Sequence, residues 1–322
     1  MCEKYNSSAV KCIDSFNKNR SFLMGVSMLA VLLFHAYIAW GGLFIFKYGF
    51  IGVDSFLFLS GYGLCFSYKK NSIWSFWLRR LKRIMPKYIV YAIVATILGV
   101  TLGNKNISIW DLCCNITTLS YYNIGGWFID WYLAALVIFY LSFPLIYPLV
   151  SFRTFIALLI SASLFFTFYN ISEIEWKYIC FLARIPVFYL GIVMYKSSTP
   201  PTYYSLRNFS WLITVMVCLG IFLLLMNILN IFYVTSFFLT SLYMPVFIII
   251  CWWLKKFLTI KTVHFLEFMG AESLMIYLTN VFTQLFLDLV YVHNPYRLMI
   301  YIFLNVVFIG IIYKFHFKRL KT

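Results

Sequence analysis

The sequence predicts an all-α, polytopic membrane protein of about ten transmembrane helices with both termini in the cytoplasm. Three observations carry this expectation. The first is composition. Of 322 residues, 63% are hydrophobic, 22% aromatic and only 11% charged, with a mean hydropathy of +0.87. Soluble domains carry about 25% charged residues, so the chain lacks the polar surface of a soluble enzyme, a disordered segment or a disulfide-rich secreted domain. The second is a series of apolar runs, most of them near the ~20 residues that cross hydrocarbon at a rise of about 1.5 Å per residue. The third is where the cations sit. With the N-terminus inside, 21 of the 26 Lys and Arg fall on one side of the alternating runs, four on the other, and Arg184 within a run. Such an excess marks the cytoplasmic side. It also accounts for the net charge of +16 without a nucleic-acid partner.

In chain order, residues 1–20 read as a polar cytoplasmic tail. They are not a cleavable signal peptide, because the run that follows is long enough to span. Spans are expected near 21–42, 48–68, 84–103, 127–149, 154–170, 178–195, 209–229, 231–254, 268–290 and 297–315, with a tight turn or kink around Asn227 and Asn230. Residues 21–315 thus form one transmembrane domain, and 316–322 a cytoplasmic tail. The longest external loop, 104–126, is polar and aromatic. No stretch between spans is long enough for a soluble domain. The eight cysteines are scattered, with no CxxC pair and no His/Cys cluster at zinc-ligand spacing, so neither a metal nor a permanently bound cofactor is expected.

Polar side chains inside spans are costly in hydrocarbon and therefore informative. His35 lies late in the first span, Asp54 near the outer third of the second, Asp130 just inside the fourth, Arg184 in the outer third of the sixth, and Tyr277 and Asn280 mid-way along the ninth. His35 and Asp54 both lie about 9–11 Å below the outer surface at 1.5 Å per residue, so neighbouring antiparallel spans can bring them together. A carboxylate beside an imidazole makes a general base for a hydroxyl nucleophile. The alternative at this point is a polar contact that serves helix packing alone; Arg184 at the same depth shifts the balance toward a cavity. The segment FWLRRLKRIMP offers Arg79, Arg80 and Arg83, with Arg79 and Arg83 on one helical face. Clustered guanidiniums grip phosphates, but spacing alone favours an anchor on anionic head groups.

Several segments together resemble the acyltransferase-3 family of integral-membrane O-acyltransferases. They are LAVLLFHAY with His35; Gly52, Val53 and Asp54 followed by Ser60 and Gly61; Arg79, Arg80 and Arg83 with Ile84 and Pro86; Trp127, Trp131 and Tyr132; RIPVFYLG with Arg184, Pro186, Phe188 and Gly191; and MGAESLMIYLTN with Gly270, Ser273, Tyr277 and Leu278. The resemblance implies a ten-helix enzyme of the cell membrane. Such an enzyme moves an acyl group, usually acetyl, from cytoplasmic acyl-CoA to a hydroxyl of a cell-surface glycan or a lipid-linked sugar precursor, with His35 catalytic. It links the basic stretch to the donor, making Arg79, Arg80 and Arg83 candidates for the CoA phosphates. His35 oriented by Asp54 is then the expected base, and Arg184, Tyr277 and Asn280 are expected to hold the acceptor or the oxyanion. A residue acylated in passing, an acyl-His, is a variant of the same scheme. Two positions depart from the family. Met24 stands eleven residues before His35 where the family has Arg or Lys, with Arg20 one turn earlier able to reach toward the same region. Asn280 stands where relatives often have His. No esterase-like external domain is seen, which leaves the whole reaction to the membrane domain. The runner-up is a non-catalytic transporter or flippase for a glycan, lipid or organic acid, against which stands the absence of internal duplication.

Overall fold

A chain so rich in apolar runs satisfies its backbone best as helices, and in the computed structural model every regular element among the described residues is helical. The structure describes residues 2–126, 130–168, 175–197, 214–221, 242–290 and 296–319. Helix α1 runs Cys2–Trp40. A 3-10 turn, Phe44–Phe50, leads into α2, Ile51–Lys69. Helix α3 is Ile73–Thr101 and α4 the short Ile109–Ile116. Then follow α5, Trp131–Leu149, α6, Phe152–Phe168, α7, Trp176–Leu182, and α8, Ile185–Ser197. After a helical stretch at 214–221 come α9, Met244–Lys255, α10, Ile260–Ala271, α11, Ser273–Leu289, and α12, Tyr296–Arg319.

Six described stretches are long and apolar enough to cross a membrane: Lys18–Trp40, Phe44–Lys69, Ile73–Thr101, Trp131–Leu149, Lys177–Ser197 and Tyr296–Lys318. Shorter apolar helices cover Phe152–Ala162, Met244–Lys255 and Ser273–Leu289. Much of the two expected spans at 209–229 and 231–254, with the turn at Asn227 and Asn230, lies outside the described residues.

Four boundaries differ from the sequence expectation. The polar N-terminal segment is not a separate tail, since α1 starts at Cys2 and continues unbroken into the first apolar run. Helix α3 begins eleven residues before the expected 84, because Ser72 caps it by accepting from the Ser75 N–H. The basic residues therefore ride on the helix, and Pro86 falls inside it. The expected sixth span is two helices meeting at Ala183 and Arg184. Pro186 has no N–H to continue the ladder across that junction. The expected ninth span is likewise parted at Glu272, between α10 and α11.

Helix α1 packs on α2, α10 and α11; α2 packs on α8; and α11 packs on α12 and α3. The α2–α8 crossing is tight at two glycines. A Cβ at Gly61 would lie 2.3 Å from the Phe188 carbonyl oxygen, and one at Gly191 would lie 2.2 Å from that of Phe58. Only glycine permits backbones this close. The loop at 104–126 is ordered by Asp111 on α4. Its carboxylate accepts from Gly126 N at 2.7 Å and from Ser108 N and Oγ at 2.9 and 2.7 Å. These donors hold the Asp111 carboxyl below the usual carboxylate range. The staple is therefore in place at neutral pH and is lost as pH falls through the lowered value.

Candidate functional site

Many of the residues singled out in the sequence gather at three places that adjoin along α11. The first is the imidazole. His35, on the last turns of α1, meets the Asn280 side chain of α11, with Nδ1 2.5 Å from Oδ1. The network around this contact fixes where the protons are. Asn305 Nδ2 donates to the backbone carbonyl of Tyr301 at 3.0 Å, which turns Asn305 Oδ1 toward Asn280. That oxygen needs a donor, so the Asn280 amide nitrogen faces Asn305 and the Tyr301 hydroxyl, at 3.3 and 2.5 Å. The Tyr301 hydroxyl passes its own proton to the carbonyl of Leu32 at 3.1 Å. Asn280 Oδ1 is left to accept from His35. The proton sits on Nδ1, and Nε2 carries the lone pair of a base.

This differs from the expected His35–Asp54 pair. Among the described residues the imidazole's hydrogen bond goes to Asn280. Asp54 is instead ion-paired with Arg184, Nε to Oδ1 at 3.0 Å, with the two residues 0% and 1% exposed. The Arg184 guanidinium also lies 5.4 Å from the ring centre of Trp131 and donates weakly to the Cys180 carbonyl. Depth along two neighbouring helices does not distinguish which neighbour a carboxylate faces. An arginine at the same level is the stronger partner for a buried carboxylate.

The second place is a cleft with about 650 Å³ of empty space including its open mouth, lined among others by Arg20, Met24, Arg80, Arg83, Tyr132 and Tyr277. Three guanidiniums thus converge from α1 and α3. Arg20 fits because position 63 is glycine: a Cβ there would lie 2.9 Å from Arg20 Nη2. The Nε atoms of Arg20 and Arg80 are buried without a hydrogen-bond partner among the described residues. Three like charges so close repel one another, and two donors with nothing to bind mark an anion's place. Arg79 does not join them. It folds back along α3 onto Ser75, donating to the carbonyl at 3.2 Å and to Oγ at 2.9 Å. Arg80 and Arg83, three apart on α3, share the cleft face. Arg20 was absent from the expected donor set, though its spacing from Met24, one helical turn, was the signal that finds it.

The third place is Asp130. It caps α5 by accepting from the N–H groups of Tyr132 and Leu133 at 3.1 and 3.2 Å, and the same oxygen accepts the Tyr277 hydroxyl at 3.1 Å. Tyr277 belongs to the cleft wall as well, so it stands between the cationic cleft and this carboxylate. Asn280 follows it by three residues on α11, which puts His35 about one turn away. Among the described residues no group of three His, Cys, Asp or Glu is placed to hold a metal.

Comparison with known proteins points one way. The sequence model of an acyltransferase-domain family, acyltransferase 3, matches residues 22–314. The peptidoglycan O-acetyltransferase OatA of Listeria monocytogenes is 33% identical over 104 residues, which are 30% of this chain and 15% of that protein. SACOL0978 of Staphylococcus aureus (strain COL), a provisionally named O-acetyltransferase, is 32% identical over 92 residues, 26% of this chain and 14% of its own. The match therefore spans about a seventh of the length of these curated relatives. No solved structure matches.

Proposed function

The chain belongs to the acyltransferase-3 family, and from that we propose that it is a multi-pass O-acyltransferase of the cell membrane. In this reading it moves an acyl group, acetyl in the simplest case, from acyl-CoA to a hydroxyl of a cell-surface glycan or its lipid-linked precursor. The observation that carries the reading is the cleft that runs from Arg20, Arg80 and Arg83 to Tyr277, one turn from the residue that holds His35. CoA phosphates dock on the three guanidiniums, and the thioester arm reaches toward Tyr277. The acceptor hydroxyl gives its proton to His35 Nε2 as its oxygen attacks the thioester carbonyl. The tetrahedral oxyanion collapses, the C–S bond breaks, and the imidazolium returns the proton to the departing thiolate. Of the residues expected to hold the acceptor or the oxyanion, Tyr277 lines the cleft, with its hydroxyl proton given to Asp130. Asn280 acts through His35, and Arg184 acts on the fold through Asp54.

The test of the donor end is kinetic. Arg83→Ala is expected to raise the KM for acetyl-CoA roughly tenfold to a hundredfold, the size of a charge-assisted phosphate contact. The KM for a minimal acetyl thioester lacking the nucleotide should change far less. Equal effects on both donors would mean that the cluster anchors the helix to lipid head groups and nothing more. Wild-type membranes that transfer no acetyl at all would remove the enzyme reading in favour of transport.

The same proposal includes ten spans with both ends in the cytoplasm, supported by the 21-to-4 cation bias. A reporter fused after residue 322 should therefore report cytoplasm, and one inserted in the 104–126 loop should report the outside. A C-terminal reporter active only outside overturns the topology.

A further inference from the structure

An amide side chain has two ends, an oxygen that accepts and a nitrogen that donates, so by itself Asn280 could offer either to His35. What decides between them lies on the last helix. The Tyr301 hydroxyl donates to the Leu32 carbonyl at 3.1 Å, an acceptor with no proton to give. The hydroxyl oxygen is then left to accept, and it takes the Asn280 amide nitrogen at 2.5 Å. The Gln284 side chain, one turn further along α11, reaches the same hydroxyl. The second hold on Asn280 also starts at Tyr301. Its backbone carbonyl takes the Asn305 amide nitrogen at 3.0 Å, and Asn305 Oδ1 in turn accepts from Asn280 Nδ2 at 3.3 Å. Tyr301, Asn280 and Asn305 are all buried, so these bonds are made in a low dielectric where each counts for more than in water.

Tyr301 also grips the helix that carries the imidazole. Leu32 lies three residues before His35 on α1. Trp40, five residues after His35, packs its ring on that of Tyr301 with centres 4.8 Å apart. One side chain thus touches α1 on both sides of His35 and also holds the amide that His35 bonds. We propose that Tyr301 is a positioning residue for His35: its hydroxyl fixes which end of Asn280 meets Nδ1, and so keeps the lone pair on Nε2. Without that hydroxyl the amide depends on the longer Asn305 bond and is held less firmly against turning over. An Asn280 nitrogen facing Nδ1 would donate to it and leave the ring's own proton on Nε2, which removes the base. That the Nε2 lone pair takes a proton from an acceptor hydroxyl rests on the acyltransferase reading. The tautomer itself rests on the hydrogen-bond geometry.

The experiment uses Tyr301→Phe, which keeps the ring on Trp40 and deletes the hydroxyl. The first readout needs no turnover. The full chain, labelled with 15N-histidine, is placed in lipid nanodiscs at about pH 8, where an ordinary imidazole is neutral. The nitrogen shifts of His35, identified by their loss in His35→Ala, report which nitrogen carries the proton. Wild type should show it on Nδ1, and Tyr301→Phe should shift the population toward Nε2. The second readout is kinetic. Tyr301→Phe should lower kcat for acetyl transfer roughly tenfold, the order of one buried hydrogen bond, with KM for acetyl-CoA little moved. In the Asn280→Leu background the same substitution should change kcat no further, because Tyr301 acts through that amide. Wild type with the proton on Nε2, or an unchanged tautomer in Tyr301→Phe, overturns the proposal. So does a kcat loss of equal size in the Asn280→Leu background, which a mere tie between α12 and α1 would give. If the tautomer shifts as expected yet wild type transfers no acetyl, the positioning role stands and the acyltransferase reading falls.

Discussion

His35→Ala is expected to reduce acetyl transfer about 10²–10⁴-fold, the usual contribution of a positioned general base, while the protein still folds and inserts. Replacing imidazole by methyl removes a polar group from a half-buried place rather than adding one. The informative companion is Asn280→Leu. It deletes the acceptor that keeps the proton on Nδ1, so the imidazole is free to turn and to exchange tautomers. The expected loss is smaller than that of His35→Ala, falls on kcat rather than on KM for acetyl-CoA, and vanishes in the His35→Ala background, because groups that act as a unit are not additive. Losses that multiply in the double variant would show that Asn280 works independently of His35. Near-normal transfer by His35→Ala would move the chemistry elsewhere.

The second large effect is on stability. Arg184→Met, with Asp54 retained, is expected to cost about 3–5 kcal/mol, because it leaves a buried carboxylate without its cation. Asp54→Asn alone should cost a similar amount by stranding the guanidinium. The double variant should recover most of the loss, since replacing both members of a buried pair is far milder than removing one. Thermal unfolding in detergent, read by tryptophan fluorescence, gives the order directly. The activity of the refolded double variant then separates two roles for Asp54. A tie between α2 and α8 predicts transfer that returns with the fold; an orienter of His35 predicts transfer that stays lost. A double variant no more stable than either single one would remove the ion pair as the cause.

The helical class and many of the apolar boundaries were legible in the sequence because hydrocarbon imposes one solution on the backbone. The polar residues singled out inside the spans, His35, Asp54, Arg184, Tyr277 and Asn280, are buried or half-buried in helices or at a helix junction. Their pairing was not legible. Depth along a helix follows from counting residues, whereas rotation about the helix axis depends on packing that only the folded chain reveals. Asp54 turned to Arg184, and His35 to Asn280, through that rotation. Arg79 differs for a related reason: spacing places it on the face of Arg83, but its side chain folds back onto Ser75, which no spacing shows. Asp130 was seen as an intramembrane carboxylate, but no pattern of residue types shows that it caps α5 and takes the Tyr277 hydroxyl.

The bonds that set the proton on His35 draw on Asn280 of α11, Tyr301 and Asn305 of α12, and the carbonyl of Leu32 on α1 itself. His35 thus leaves the ribosome 245 residues before Asn280, with Tyr301 and Asn305 later still. During synthesis, which runs at about 5–20 residues per second, the nascent protein holds an unaligned imidazole for as long as α12 is still to come. Only when α12 packs on α11 is the proposed base aligned, so a chain stalled or cut before Tyr301 has the cleft arginines but no oriented imidazole. Under the proposed mechanism such a fragment keeps the cleft for the donor phosphates but lacks the aligned base that would consume the thioester.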